Sequence, residues 1–126
     1  MSSVRMEFFE ADSVSELAVP GVRSRQLLWP RGSQSVRLTI TEVHVEPKGT
    51  QPRHVHESSE QVWYALQGTA TLLAADDTSR PFVAGDVVRF PEGCVHGLDN
   101  TGADEFVYLS VTSPPLDFTR AYEGVR

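Results

Sequence analysis

The chain has 126 residues and a mass of 13.9 kDa, the usual size of one domain, so we expect a single unit spanning residues 1–126. Hydrophobic residues at 40% and charged residues at 22% supply a core and a soluble surface, which excludes a disordered or collagen-like chain. A net charge of −6, without a cluster of lysine or arginine, predicts no nucleic-acid partner. The single cysteine, Cys94, excludes an intramolecular disulfide and a site of several thiolates.

The sequence also carries no signal for a membrane. No apolar run approaches the roughly 20 residues that are needed to cross a bilayer. The first ten residues lack the long apolar segment and cleavage site of a secretory leader. We therefore expect a cytoplasmic protein with no membrane partner.

Short segments of β-branched and aromatic residues, separated by Gly, Pro, Asn and Asp, predict an all-β fold. Before the first strand, Asp12 and Ser13 could cap a helical turn that runs to Ala18 and ends before Pro20. The predicted strands cover residues 22–29, 35–46, 50–56, 61–67, 70–75, 86–90, 94–98 and 105–112. About eight strands in so short a chain favour a sandwich or a barrel.

Two details of this pattern have consequences for the fold. Apolar residues occupy even positions up to Ile40 and odd positions from Val43, which predicts a β-bulge or a change of sheet near residues 41–42. After two prolines, Phe118, Tyr122 and Val125 share one helical face. We expect this tail to cover an opening of the barrel or to contact a second subunit.

Two histidines stand two residues apart in a predicted strand. Because side chains alternate along a strand, His54 and His56 point the same way, with their Cα atoms about 6.6 Å apart. Two imidazoles so placed can converge on one metal ion. The alternative at this point is a pair of unrelated solvated histidines.

The stretch from Gly85 to Asn100 has Gly, five residues, Pro, one residue, Gly, two residues, His, three residues and Asn. This spacing resembles the second signature of the cupin superfamily, and residues 49–68, with His54 and His56, resemble the first. The chain is similar to small single-domain bacterial cupins. The resemblance implies a jelly-roll β-barrel, or double-stranded β-helix, here with short terminal helical segments. It also implies one divalent metal ion held by His54, His56, His96 and a residue near position 60.

The fourth ligand is ambiguous between two neighbours. Counting back from Gly68 with the family spacing reaches Gln61, whereas the nearest carboxylate is Glu60. A one-residue offset reverses the face of a strand, so only one of the two can face the barrel. Trp63 has the same phase as Gln61 and is a suitable lining residue for a small-molecule pocket, which favours Gln61. Glu60 stays the alternative.

Three imidazoles and an amide would leave the full double positive charge on the ion, which favours Lewis-acid chemistry. Such nitrogen-rich ligands suit zinc, iron, nickel, manganese or copper, and the sequence does not choose among these metals. Cys94 alternates onto the face of His96, where a reactive thiol or a small buried hydrophobic group are both conceivable. His44, outside both motifs, is expected at the surface.

Two classes of function compete. The first is an enzyme that acts on a small oxygen-rich molecule by isomerase, lyase or cyclase chemistry, or by dioxygenation. The second is a non-catalytic sensor or carrier in which the metal stabilises the barrel and helps to hold a ligand. We also expect a homodimer, because the exposed strand edges need covering and residues 22–29 with the tail offer apolar surface.

Overall fold

Ten antiparallel strands and two short 3₁₀ helices form the structure, a computed structural model that describes residues 4–123. This architecture confirms the predicted all-β fold. Within those residues, no helix is long and apolar enough to cross a membrane. The strands are β1 (Ser15–Val19), β2 (Val22–Leu28), β3 (Thr39–Val45), β4 (Thr50–His54), β5 (Glu60–Gln67), β6 (Thr69–Leu73), β7 (Ser79–Val83), β8 (Val87–Phe90), β9 (His96–Asp99) and β10 (Phe106–Ser113).

The strands pair into two sheets of unequal size. The larger sheet has the order β1-β2-β3-β10-β5-β8, and the smaller has the order β4-β9-β6-β7. The core lies between them, where Trp63 of the larger sheet and Leu98 of the smaller sheet are almost completely buried. Aromatic rings continue the core toward one end, with Phe82 packed 5.6 Å from Phe106 between ring centroids. Burial of this apolar surface is the main favourable contribution to the fold.

The helical turn predicted for residues 13–18 is wrong. A 3₁₀ helix covers only Ala11–Ser13, and β1 follows it at once. Strand β1 pairs antiparallel with β2 along its whole length, from Ser15 opposite Gln26 to Val19 opposite Val22. The ladder satisfies the backbone groups of this segment, and that non-local pairing overrides the local capping signal.

The predicted change of phase near residues 41–42 does not occur within β3. Burial alternates regularly from Thr39 to Val45, so the threonines at 39 and 41 face the interior and Ile40 faces outward. The irregularity lies on the neighbouring strand, where the register of β2 shifts between Gln26 and Leu28. The prediction failed because it assumed that the apolar residues mark the inner face.

Two further differences concern the edges of the fold. Strand β7 was not predicted; only Phe82 is buried in it, and Pro81 is tolerated because β7 is the edge of the smaller sheet. The C-terminal segment forms a 3₁₀ helix over Phe118–Tyr122. Val125, the third member of the predicted helical face, lies outside the described residues.

Candidate metal centre

Three histidines from two neighbouring segments converge at one end of the barrel. His54 ends β4 and pairs across the ladder with His96, the first residue of β9. His56 follows just beyond the end of β4, and its ring centroid lies 5.0 Å from that of His54 and 5.3 Å from that of His96. One ring nitrogen from each residue lies within 4.8 Å of the other two. This spacing suits three ligands of one metal ion.

The strand backbones orient two of these rings. The Nδ1 atom of His54 lies 2.8 Å from the carbonyl oxygen of Pro52, and the Nδ1 atom of His96 lies 2.9 Å from that of Cys94. A carbonyl only accepts, so in a neutral ring each Nδ1 carries the hydrogen and donates it. The lone pair then belongs to Nε2. Such backbone contacts fix the tautomer and direction of metal-binding histidines.

A glycine lets the two histidine strands approach each other. A Cβ atom at Gly97, directly after His96, would lie 2.7 Å from the carbonyl oxygen of Gln51 and 3.0 Å from the backbone nitrogen of Arg53. Neither backbone atom can move independently of β4. The absence of a side chain at position 97 therefore helps to bring His96 against His54.

The site favours neutral imidazoles. Burial, with a smaller contribution from the charge of His54, lowers the pKa of His56 from 6.5 to about 4. Burial also dominates at His96, where the neighbouring histidines contribute and the pKa falls to about 4 despite the opposing contact with the Cys94 carbonyl. Both rings are therefore unprotonated at neutral pH, the state in which histidine binds a metal.

Gln61 faces this cluster from the larger sheet. Its side chain is 4% exposed, its Nε2 atom donates to Thr112 Oγ1 at 2.9 Å, and its Oε1 atom lies 3.1 Å from His96 Nε2. With the hydrogen of His96 on Nδ1, that contact brings two acceptor atoms together. A cation bound by both atoms would remove the conflict, so the donor set fits a divalent metal. Without a cation, rotation of the amide would let it donate to His96.

Glu60 points to the opposite side of β5. Its carboxylate pairs with the guanidinium of Arg89 at 2.8 Å, and the two side chains are 47% and 61% exposed. The strand alternation thus places Gln61 inside and Glu60 on the outer surface. Glu60 could reach the histidines only if the register of β5 changed.

A cavity of about 470 Å³ adjoins the histidines. Its volume lies within the range of small-molecule sites. Trp63 lines it, and the indole packs 5.4 Å from the His96 ring and 4.3 Å from the Tyr108 ring between centroids. The buried Tyr108 hydroxyl donates to Gln51 Oε1 at 2.6 Å, and burial raises its pKa well above the ordinary value. Tyr108 therefore keeps its proton at neutral pH.

The C-terminal segment covers part of the cavity. Phe118 packs against His56 with 5.9 Å between ring centroids, and Tyr122 also lines the cavity. Asp117 accepts a hydrogen bond from Arg31 at 2.7 Å, which fixes the start of this 3₁₀ helix. Thr39 exchanges two hydrogen bonds of 3.0 Å with the backbone of Leu116. The tail thus covers one opening, which is one of the two positions that the sequence left open.

Among the described residues, the cluster of possible metal ligands does not include Cys94 or His44. Cys94 is half-buried and packs against the core, and its sulfur lies 3.8 Å from the Val95 carbonyl oxygen. His44 is on the outer face of the larger sheet, between Glu42 at 2.8 Å and Glu105 at 3.1 Å. Sequence reasoning missed the polar residues that line the cavity, and no motif marks them. They are Ser24, Thr41, Gln51 and Ser110.

Comparisons with known proteins agree with this fold. The chain is 30% identical over 92 residues to the auxin-binding protein ABP19b of Prunus persica; the match covers 68% of this chain and 44%, less than half, of that relative. The polyketide cyclase RemF from Streptomyces resistomycificus superimposes with a TM-score of 0.75 at 24% identity, covering 86% of this chain and 80% of RemF. The ectoine synthase from P. lautus superimposes with a TM-score of 0.76 at 14% identity, covering 94% and 85%.

The two structures show a shared fold. A family model described as a cupin domain matches residues 41–112, which include the three histidines and every strand from β4 to β9. This match confirms the resemblance that the two motifs indicated, and the chain belongs to the cupin family.

Proposed function

We propose that His54, His56, His96 and Gln61 bind one divalent transition metal ion at which the protein acts on a small oxygen-rich molecule. The observation that carries this proposal is the convergence of three histidine nitrogens within 4.8 Å of one another, with His54 and His56 lining a cavity. None of the four ligands would carry a charge in the metal-bound form. Histidine binds a metal as the neutral imidazole, the pKa values of His56 and His96 are already lowered, and Gln61 does not ionise. A metal ion bound there keeps its full charge and would polarise a substrate oxygen, as isomerase, lyase or cyclase chemistry requires.

The remaining groups would orient the substrate and hold protons. Trp63 and Phe118 provide aromatic walls at the histidine end of the cavity. The Tyr108 hydroxyl keeps its proton and could donate it to a substrate oxygen after exchanging its contact with Gln51. The names of the two structural relatives, a cyclase and a synthase, are compatible with an enzyme.

One observation favours the second candidate, a carrier or sensor. Among the described residues that line the cavity, there is no aspartate or glutamate, so no carboxylate is available as a general base. The curated relative from Prunus persica is named for binding. A protein that holds a ligand on its metal without turnover would have the same histidine cluster.

Metal analysis and a substrate panel test the proposal together. Purified protein should contain close to one divalent ion per chain, and His96→Ala should lose it while His44→Ala, a histidine outside the site, retains it. Zinc-, iron-, nickel-, manganese- and copper-loaded protein is then incubated with keto acids, sugar derivatives and catechols, and both binding and product are measured. Turnover that disappears in folded His96→Ala supports the enzyme, whereas binding without turnover with all five metals supports the carrier. Full metal content in His96→Ala would refute the site.

We also propose that two copies of the chain associate. The residues expected to provide the contact are partly used within the chain, because Phe118 and Tyr122 line the cavity and alternate residues of β2 face inward. Part of the outer face of the larger sheet is apolar, at β5, where Tyr64 and Leu66 are each 43% exposed. A symmetric partner would cover this surface. The cytoplasmic location and the lack of a nucleic-acid partner stay predictions from composition.

A further inference from the structure

A row of polar side chains crosses the inner face of the larger sheet. Gln26 of β2 pairs with Thr41 of β3, Thr41 pairs with Ser110 of β10, and Ser110 pairs with Trp63 of β5. All four residues are buried, with at most 4% of the surface of each exposed. Polar groups at such positions are costly unless they make hydrogen bonds.

Part of the hydrogen-bonding capacity of this row is not used by the residues that the structure describes. The hydroxyls of Thr41 and Ser110 line the cavity and make no hydrogen bond to another described residue. Gln26 Nε2 donates to Ser24 Oγ at 2.9 Å, while Gln26 Oε1 is buried without a partner among the described residues. Ser24, which also lines the cavity, accepts from Gln26 and so has its own hydrogen available to donate. A core built only for packing has no need of these groups.

The row of polar residues lies next to the row of the larger sheet that contacts the histidines. Thr112 and Gln61 form the adjacent row, two residues along β10 and β5, and Gln61 contacts His96. Two residues along a strand span about 7 Å. A molecule bound at the histidines would therefore reach the hydroxyls of Thr41 and Ser110 if it extends about 7 Å beyond the row that contains Gln61.

The described residues that line the cavity offer no free cationic side chain for a second negative charge on a bound molecule. Among the described lining residues, Arg53 is the one with a permanent positive charge. Its Nε donates to the Ala74 carbonyl at 2.7 Å and its guanidinium also donates to the Thr78 carbonyl at 3.0 Å, so both contacts are made with the turn between β6 and β7. A phosphate at the far end of a substrate would lack a cation to pair with.

We infer that the substrate is an unphosphorylated polyhydroxylated molecule that chelates through an oxygen pair at the histidines and places further hydroxyls against Ser24, Thr41 and Ser110. This inference rests on the proposed function and names its substrate class. A single carboxylate is acceptable at the chelating end, where it would neutralise part of the metal's charge. Beyond that end the molecule is neutral.

Calorimetric titration of zinc-loaded protein with three acids that share one chelating group tests this inference. Gluconate has an α-hydroxy carboxylate and a hydroxylated chain, 2-hydroxyhexanoate has the same group and an apolar chain of equal length, and 6-phosphogluconate adds a phosphate. We expect gluconate to bind at least tenfold more tightly than 2-hydroxyhexanoate and more tightly than 6-phosphogluconate. Thr41→Val and Ser110→Ala should each weaken gluconate about fivefold, the value of one hydrogen bond, and leave 2-hydroxyhexanoate unchanged.

The outcomes separate the two proposals. Equal or tighter binding of 2-hydroxyhexanoate by wild-type protein overturns the inference and leaves the metal site intact, and this comparison needs no variant that could fail to fold. Preferred binding of 6-phosphogluconate also overturns it. Failure of all three acids to bind overturns the inference, and it overturns the proposed function too if the keto acids, sugar derivatives and catechols also fail to bind. A gluconate preference that persists unchanged in both variants shows that the hydroxyl row is not the cause.

Discussion

Replacing Gln61 by leucine tests the assignment of the fourth ligand. The substitution keeps the approximate side-chain volume. It removes the hydrogen bond to Oγ1 of Thr112, which is fully buried, and it removes the contact with His96. Loss of one partner of a buried hydrogen bond costs about 1–3 kcal/mol. Glu60→Ala is the matched control, because it removes an ion pair whose members are 47% and 61% exposed. Such surface pairs contribute about 0–1 kcal/mol.

Two measurements distinguish the variants. In urea unfolding of chelator-treated protein, Gln61→Leu should lower the free energy of unfolding by about 1–3 kcal/mol and Glu60→Ala by less than about 1 kcal/mol. In competition with a fluorescent chelator, Gln61→Leu should bind zinc at least tenfold more weakly, whereas Glu60→Ala should match the wild type. Weak zinc binding by Glu60→Ala, combined with normal zinc binding by Gln61→Leu, would show that β5 places Glu60 rather than Gln61 at the metal.

The remaining predictions concern acid stability, strand approach and association. Because the pKa values of His56 and His96 are lowered to about 4 in the folded protein, the unfolded chain binds more protons between about pH 6.5 and 4. The urea midpoint of metal-free protein should therefore decrease as the pH is lowered from about 6.5 to about 4. A constant midpoint would contradict the burial of these rings. Gly97→Ala should weaken both folding and zinc binding, since its Cβ would lie 2.7 Å from a backbone oxygen of β4; an unchanged thermal midpoint refutes this. Light scattering should give twice 13.9 kDa for the wild type and 13.9 kDa for Tyr64→Lys/Leu66→Lys, and a wild-type monomer refutes the dimer.

Local alternation predicted several features of the site. The spacing of His54 and His56 indicated a shared side, and their rings lie 5.0 Å apart even though β4 ends at His54. Counting from Gly68 favoured an inward Gln61, and the side chain is buried beside His96. The first inference needed only the side-chain period of a strand, which is independent of the rest of the fold. The second also used the spacing of the cupin signature.

Features that depend on distant partners were not predictable in this way. Strand β1 exists because β2 lies beside it, and its own residues gave a capping signal instead. Thr41 faces inward because the interior holds a cavity. The prediction of a phase change near residues 41–42 failed because it assigned only apolar residues to the interior. The Tyr108 contact with Gln51 joins residues 57 positions apart, and no local pattern contains it.

The proposed ligands come from both sheets, with consequences for the dynamics of the barrel. His54 and His96 belong to β4 and β9 of the smaller sheet, while Gln61 belongs to β5 of the larger one. A metal ion bound by these residues would link the two sheets at that end of the barrel. It would also stabilise the folded state by mass action. Amide hydrogens of β4 and β9 should then exchange with deuterium more slowly in metal-loaded protein, while those of β7, at the far edge of the smaller sheet, change little. The concentration of metal would thereby set how often the histidine end of the barrel opens locally to admit a ligand.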